Sequence, residues 1–153
     1  MKKLLLLLVV ATTVVLSACK KGEVLKTEPQ VEEAQIQAYI KDNNLTNVVK
    51  DPKGVYYKII KAGTGTVYPD STSTVEVTYT GKLLNGTQFD SQSGYSIGLA
   101  QSVKGWQYGM PHITQGGRIM LIVPSALGYG NNTSGSIPAN SVLIFTIDLL
   151  GMQ

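Results

Sequence analysis

The sequence predicts an α+β fold in which a run of short antiparallel strands follows an N-terminal helix. Three observations carry that prediction. Residues 29–43 show an apolar stripe at near-helical spacing, through Val31, Ala34, Ala38 and the pair Tyr39/Ile40. From Val55 onward the texture changes to short β-rich runs punctuated by Gly, Pro, Asn and Ser. Within those runs, residues 74–84 alternate strictly, with Val75, Val77 and Tyr79 against Glu76, Thr78 and Thr80, as a half-buried strand does.

The chain ahead of the helix has a different character. Lys2 and Lys3 precede an apolar run from Leu4 to Leu16, and Leu16-Ser17-Ala18-Cys19 closes it in the layout of a secretory signal peptide covering residues 1–18. A permanent span needs about 20 apolar residues, and Thr12 and Thr13 interrupt this shorter run. The only cysteine, Cys19, stands where such a leader is cut and resembles the lipobox of bacterial lipoproteins. That resemblance implies a diacylated Cys19 as the new N-terminus, held in a membrane by ~0.8 kcal/mol per buried methylene. Residues 19–28 are then a lipidated cysteine and spacer, charged and without periodicity.

Without Lys2 and Lys3 the chain holds 11 basic and 10 acidic residues, so neither nucleic acid nor an acidic surface is expected as a partner. With Cys19 acylated no thiol is left for a disulfide, and stability must come from an apolar core. The 43% hydrophobic composition suffices for one.

Each element has its own signal. In the helix over 29–43, Glu32 and Glu33 favour the first turn and Asn43-Asn44 supplies a stop, so residues 29–50 read as helix plus linker, either a spacer or a helix packed on the domain. Residues 55–61 form a first strand. After the alternating strand, Asn85-Gly86 predicts a two-residue turn with positive φ at both positions, returning into a partner strand over 87–91. Residues 105–113 form a short helical element, with Gly116-Gly117 as the turn out of it. Residues 118–123 are a strand ended by Pro124. The Gly-, Asn- and Ser-rich loop over 125–140 exceeds a simple hairpin, and loops of that kind often carry function. Residues 142–150 are apolar on both faces, hence a central strand.

The residue inventory excludes several chemistries. His112 is the only histidine, so no Cys/His metal site or Cys/His couple can be assembled, and no G-x-S-x-G elbow appears. His112, beside Pro111, reads as a surface or half-buried residue. Gly63-Thr64-Gly65 and Gly128-Tyr129-Gly130 lack the rest of a phosphate-binding fingerprint and read as turns. What stands out is a concentration of aromatic and aliphatic side chains at strand ends and near glycine-rich loops.

Five blocks give that concentration a family likeness. They are Val77-Thr78-Tyr79-Thr80-Gly81, Asn85-Gly86-Thr87-Gln88-Phe89-Asp90-Ser91, Val103-Lys104-Gly105-Trp106, Leu127-Gly128-Tyr129-Gly130 and residues 137–145, Ile-Pro-Ala-Asn-Ser-Val-Leu-Ile-Phe. In this order they resemble the signature blocks of the FKBP-type peptidyl-prolyl cis/trans isomerases, and the resemblance runs from about Val55 to the C-terminus. It implies an isomerase domain over residues 51–153 whose twisted antiparallel sheet wraps around one short α-helix, with the ligand held between them. It also implies roles. Trp106 would form the floor of a proline pocket, Tyr79, Phe89 and Phe145 its walls, and Ile137 and Val103 its rim. Tyr129 would donate its hydroxyl to a substrate carbonyl, and Asp90 would sit beside the twisting amide and hold Tyr79. Tyr95 is a further wall residue. Taken singly, an aromatic such as Phe145 reads as core; the set in family order reads as a pocket.

The resemblance implies no cofactor, proline-containing polypeptides as substrates and macrolides as candidate inhibitors. Rotation of an X-Pro bond needs no acid, base or covalent step; it needs loss of amide resonance, a barrier of about 18–20 kcal/mol. A dry aromatic pocket solvates the charge-separated planar amide poorly, which favours the twisted state relative to water. With the leader and Cys19, the expected setting is the cell envelope, lipid-anchored, facing the periplasm and on the outer membrane. The rival readings are a non-catalytic proline-peptide-binding or chaperone lipoprotein, and a structural envelope lipoprotein assembled through its first helix.

The chain also departs from the family pattern. Ser102 and Ser136 stand where aliphatic residues are more usual, Pro111 interrupts the short helix, and residues 131–134 lack bulky side chains. In a regular two-residue hairpin Tyr79 and Asp90 share one face and Phe89 takes the other. For all three to line one pocket, a bulge or strand end is expected near Asp90.

Overall fold

The computed structural model describes residues 28–153; the leader, Cys19 and all of the spacer but Glu28 lie outside the described residues. The described chain runs α1 (Glu28–Asp42), β1 (Val49–Lys50), β2 (Tyr56–Lys61), β3 (Thr74–Leu83), β4 (Gln88–Gly98), α2 (Lys104–Gly109), β5 (Arg118–Val123) and β6 (Leu143–Met152). Short 3-10 turns at Leu99–Gln101, Met110–His112 and Ser125–Leu127 bracket the functional loops.

All strand pairings are antiparallel, in the order β1-β2-β5-β6-β3-β4. β6 lies between β5 and β3, which is why its sequence is apolar on both faces. Ile119, Leu121 and Val123 of β5, with Leu143, Phe145, Ile147 and Leu149 of β6, project into the main core. Ile122, Val142 and Ile144 project to the opposite face, where they meet Ile36 and Tyr56.

Each face has its own helix. α2 lies against β5 at very close range, because a β-carbon on Gly105 would stand 2.4 Å from Val123 and one on Gly109 2.4 Å from Leu121. The two glycines are four residues apart, so they share one side of the helix and let it settle onto the strand. Pro111 does not break this element; the α-helix has already ended at Gly109, and the proline sits inside the 3-10 turn that follows. On the other face, α1 docks through Ile36, which is 1% exposed, with Tyr39 and Ile40 beside it.

The docking face of α1 coincides with the expected apolar stripe only at Tyr39 and Ile40. Val31, Ala34 and Ala38 are exposed, and the buried positions are Glu32 and Ile36. A helix turns the side that its partners can satisfy, and here those partners are polar as well as apolar. Glu33 next door accepts hydrogen bonds from the Tyr56 hydroxyl at 2.5 Å and Lys50 Nζ at 2.7 Å. The Lys50 and Tyr56 contacts hold the Glu33 carboxyl down at about 2.

Two further local expectations are revised. The β3–β4 turn is not a two-residue turn with positive φ at both positions: only Gly86 has one, at 86°, and Asn85 does not. Gly86 N–H bonds back to the Leu83 carbonyl and Leu83 N–H to the Thr87 carbonyl, so the loop holds three residues and ends in a glycine bulge. β1, too short to leave a periodic signal, pairs Val49 with Tyr57 and Lys50 with Tyr56.

Candidate active site

The wall of the site is built where β3 and β4 lose register twice. Gly81 pairs with Asp90 and Lys82 with Gln88, so Phe89 is an extra residue on β4. This is the bulge that the hairpin argument required, and it brings Phe89 to the side that Tyr79 and Asp90 occupy. A second irregularity lies between Val77, paired with Tyr95, and Tyr79, paired with Gln92, and Gly94 adopts φ 63° there.

These displacements converge on a cleft of about 320 Å³, with Tyr79, Phe89, Asp90, Tyr95, Val103, Trp106, Tyr129 and Phe145 all in its lining. Eight of the nine residues expected at the pocket are therefore brought together. Ile137 is the exception: it is 5% exposed and packs within the main core rather than on the cleft wall. Ser102, which departs from the family pattern, also lines the cleft, as do Ile97 and Gln101, which were not foreseen. Ile97 could have been, since it lies two residues from Tyr95 along β4.

Trp106 is 4% exposed and forms the base of the cleft in a lattice of edge-on rings. Its indole meets Tyr79 at 5.0 Å and Phe145 at 5.4 Å between centroids, both near-perpendicular, and Phe89 meets Phe145 at 5.6 Å. Edge-to-face contacts of this kind each contribute about 0.5–1.5 kcal/mol beyond area burial and lock ring orientation. The indole N–H is buried without a hydrogen-bond partner among the described residues. Orphaned donors are rare in proteins and concentrate at sites with a task.

Polarity is confined to a few groups. The Tyr79 hydroxyl donates to Asp90 Oδ2 at 2.5 Å, while Asp90 Oδ1 accepts the Ser91 N–H at 2.8 Å. Burial first, and the Asp90 carboxylate second, push the Tyr79 phenol well above its ordinary range, so it stays a hydrogen-bond donor. Tyr129 is 38% exposed, and its hydroxyl has no hydrogen-bond partner among the described residues. Among the described residues the cleft thus offers an apolar slot with one held phenol, Tyr79, two further phenols, Tyr95 and Tyr129, and no nucleophile paired with a base.

His112 stands apart from this chemistry. It stacks on Tyr57 with centroids 3.9 Å apart and bonds Asp51 at 2.9 Å, which ties the β1–β2 connection to the turn after α2. Among the described residues no cluster of three His, Cys, Asp or Glu side chains could hold a metal ion.

A second, larger cavity of about 410 Å³ lies between α1 and the loop after β5, lined by Glu28, Glu33, Lys50, Ala126 and Asn131 among others. It lacks the aromatic lattice, so size alone does not identify the site.

The family model for FKBP-type peptidyl-prolyl cis-trans isomerases matches residues 65–150. The chain belongs to that family. It is 40% identical over 117 residues to the FKBP-type peptidyl-prolyl cis-trans isomerase FkpA of Buchnera aphidicola subsp. Schizaphis graminum, covering 74% of this chain and 46% of that protein. The crystal structure of FkpA from Escherichia coli is similar with a TM-score of 0.72 and 32% identity, over 80% of this chain and 59% of that one. A peptidyl-prolyl cis-trans isomerase structure from Pseudomonas syringae pv. tomato matches with a TM-score of 0.71 and 25% identity, over 84% of this chain and 97% of that one. The chain spans about half the length of the curated relatives it matches. The fold expected from the sequence blocks is the one observed.

Proposed function

We propose that this chain accelerates cis/trans isomerisation of X-Pro bonds in exported polypeptides. The observation that carries the reading is the open cleft floored by Trp106, walled by Tyr79, Phe89 and Phe145, with the Tyr129 phenol at its rim unpartnered among the described residues. A prolyl ring fits an apolar slot of rigid rings that lose little side-chain entropy on binding. The preceding amide then stands in surroundings that solvate its planar, charge-separated form less well than water does. Tyr129 donates to a substrate carbonyl and fixes the peptide's direction, and Asp90 keeps Tyr79 in its wall position. Each tenfold of rate needs only about 1.4 kcal/mol of differential binding, within reach of a few such contacts.

A protease-coupled assay with proline peptides tests this. Wild-type rates should exceed those of Trp106→Ala and Tyr129→Phe. Equal rates in all three sink the catalytic reading, and peptide binding retained without a rate effect identifies a proline-binding or chaperone module instead.

The leader and lipobox-like Cys19 support the further reading that the domain is tethered by acyl chains in the cell envelope, facing the periplasm from the outer membrane. Radiolabelled palmitate should enter the wild-type protein and not Cys19→Ala, and membrane fractionation should place the label. Label in both proteins, or in neither, removes the anchor from the proposal.

A further inference from the structure

Glu32 is a carboxylate on a surface helix, yet it is only 8% exposed. A carboxylate leaves water when protein donors replace its hydration. Both donors come from one residue 93 positions away: the Ser125 N–H reaches Oε2 at 2.9 Å, and the Ser125 hydroxyl donates to Oε1. Ser125 opens the 3-10 turn that follows Pro124, where the first N–H groups have no partner within the turn itself. Glu32 supplies that partner from α1.

The backbone carbonyl of Ser125 holds the segment that carries Tyr129. It accepts the Gly128 N–H at 2.9 Å and the Gly130 N–H at 2.8 Å, the two amides that flank Tyr129. The Gly130 carbonyl in turn accepts the Asn140 N–H at 2.8 Å, closing the loop's far end. Since the Tyr129 hydroxyl has no partner of its own among the described residues, the ring stands where its backbone puts it.

The geometry points to Glu32 as a positioning residue that, through Ser125, sets where the Tyr129 phenol stands, and so couples the N-terminal helix to the prolyl cleft. This rests on the prolyl-isomerase reading of that cleft. Misplacement of a reacting contact by about 1 Å can cost 10²-fold, so a partial loosening of the turn should register clearly in the rate. α1 also holds through Ile36 and through Glu33 with Lys50 and Tyr56, so the Glu32 contact can be removed while the helix stays docked.

The test uses the full chain and proline peptides. Glu32→Ala and Ser125→Ala should each lower kcat/KM about tenfold. In a Tyr129→Phe background the Glu32 change should cost nothing further, as expected of two residues acting through one contact. Glu33→Gln, which weakens the docking without touching Ser125, should leave the rate at the wild-type level. Amide hydrogen exchange at Gly128 and Gly130 should quicken in Glu32→Ala and stay slow in Glu33→Gln. A Glu32→Ala enzyme at wild-type rate, or one whose penalty persists undiminished beside Tyr129→Phe, overturns the coupling. If Glu32→Ala does not fold, Ser125→Ala carries the same comparison. If the wild type itself shows no acceleration, the catalytic reading fails, and unchanged exchange at Gly128 and Gly130 would separately overturn the clamp.

Discussion

The Phe89 ring lies across the backbone of Gly81, with ring carbons 2.5 Å from where a β-carbon on Gly81 would stand. The same β-carbon would come within 3.1 Å of Phe145, so one missing methyl group on β3 lets two walls of the cleft close over it. Gly81→Ala should therefore push Phe89 out of the bulge. Overpacking of this kind costs about 1–3 kcal/mol, to be read from urea unfolding, and isomerase activity should fall further than stability alone explains. A variant with unchanged midpoint and rate would show that Phe89 has another resting place.

Tyr79→Phe keeps the ring and deletes the hydroxyl that Asp90 accepts. A hydrogen bond to a charged group contributes about 1.5–3 kcal/mol, so unfolding should shift measurably while the cleft keeps its shape. The pH dependence carries a second signature. The unfolded phenol ionises near its ordinary 10.0 and the folded one only at higher pH, so the folded state holds its proton longer. That contribution is complete below pH 10 and declines above it. The gap in stability between wild type and variant should narrow on alkaline titration.

Trp106 is the chain's single tryptophan and forms the floor of the cleft. Its fluorescence, excited at the red edge where the eight tyrosines do not absorb, therefore reports occupancy. Titration with a proline peptide should change its emission, and Phe89→Ala should weaken the apparent affinity. Saturating peptide that leaves the spectrum untouched would mean that the ring binds elsewhere.

Acid should loosen the hold of α1 on the sheet. The Glu33 carboxyl titrates near 4.5 in an unfolded chain and at about 2 in the folded one, because Lys50 first and Tyr56 second bond its ionised form. Between those values the unfolded chain takes up a proton that the folded chain refuses, so stability falls as pH drops. The contribution is present above 4.5 and gone below 2. Glu33→Gln should flatten this part of the stability profile, measured by thermal unfolding across the acid range, and added salt should shrink the difference between the two proteins.

Much of this architecture is legible in the order of residues, because period-two patterns answer directly to one buried face. Val75, Val77 and Tyr79 point inward as their alternation requires, and β5 occupies the predicted residues 118–123. The need for a bulge near Asp90 follows from asking three side chains to meet on one side of a hairpin. Other features depend on partners that no local window contains. Glu32 is buried because Ser125 satisfies it from 93 residues away, and so α1 turns a face that Ile36, Tyr39 and Ile40 mark but Val31, Ala34 and Ala38 do not. The Asn85-Gly86 pair signals a turn without revealing that Leu84 belongs to the loop. Ile137 falls in the core because the bridge between Ser134 and Ile137 folds its segment inward, which composition does not announce.

The placement of β6 has a kinetic consequence. The last strand in sequence joins the two halves of the sheet, β1-β2-β5 on one side and β3-β4 on the other. Both halves are therefore made before the strip that unites them, and their apolar faces stay bare until β6 pairs with β5 and β3. Contacts so distant along the polymer close slowly, so the sheet is completed only when β6 docks between its two halves.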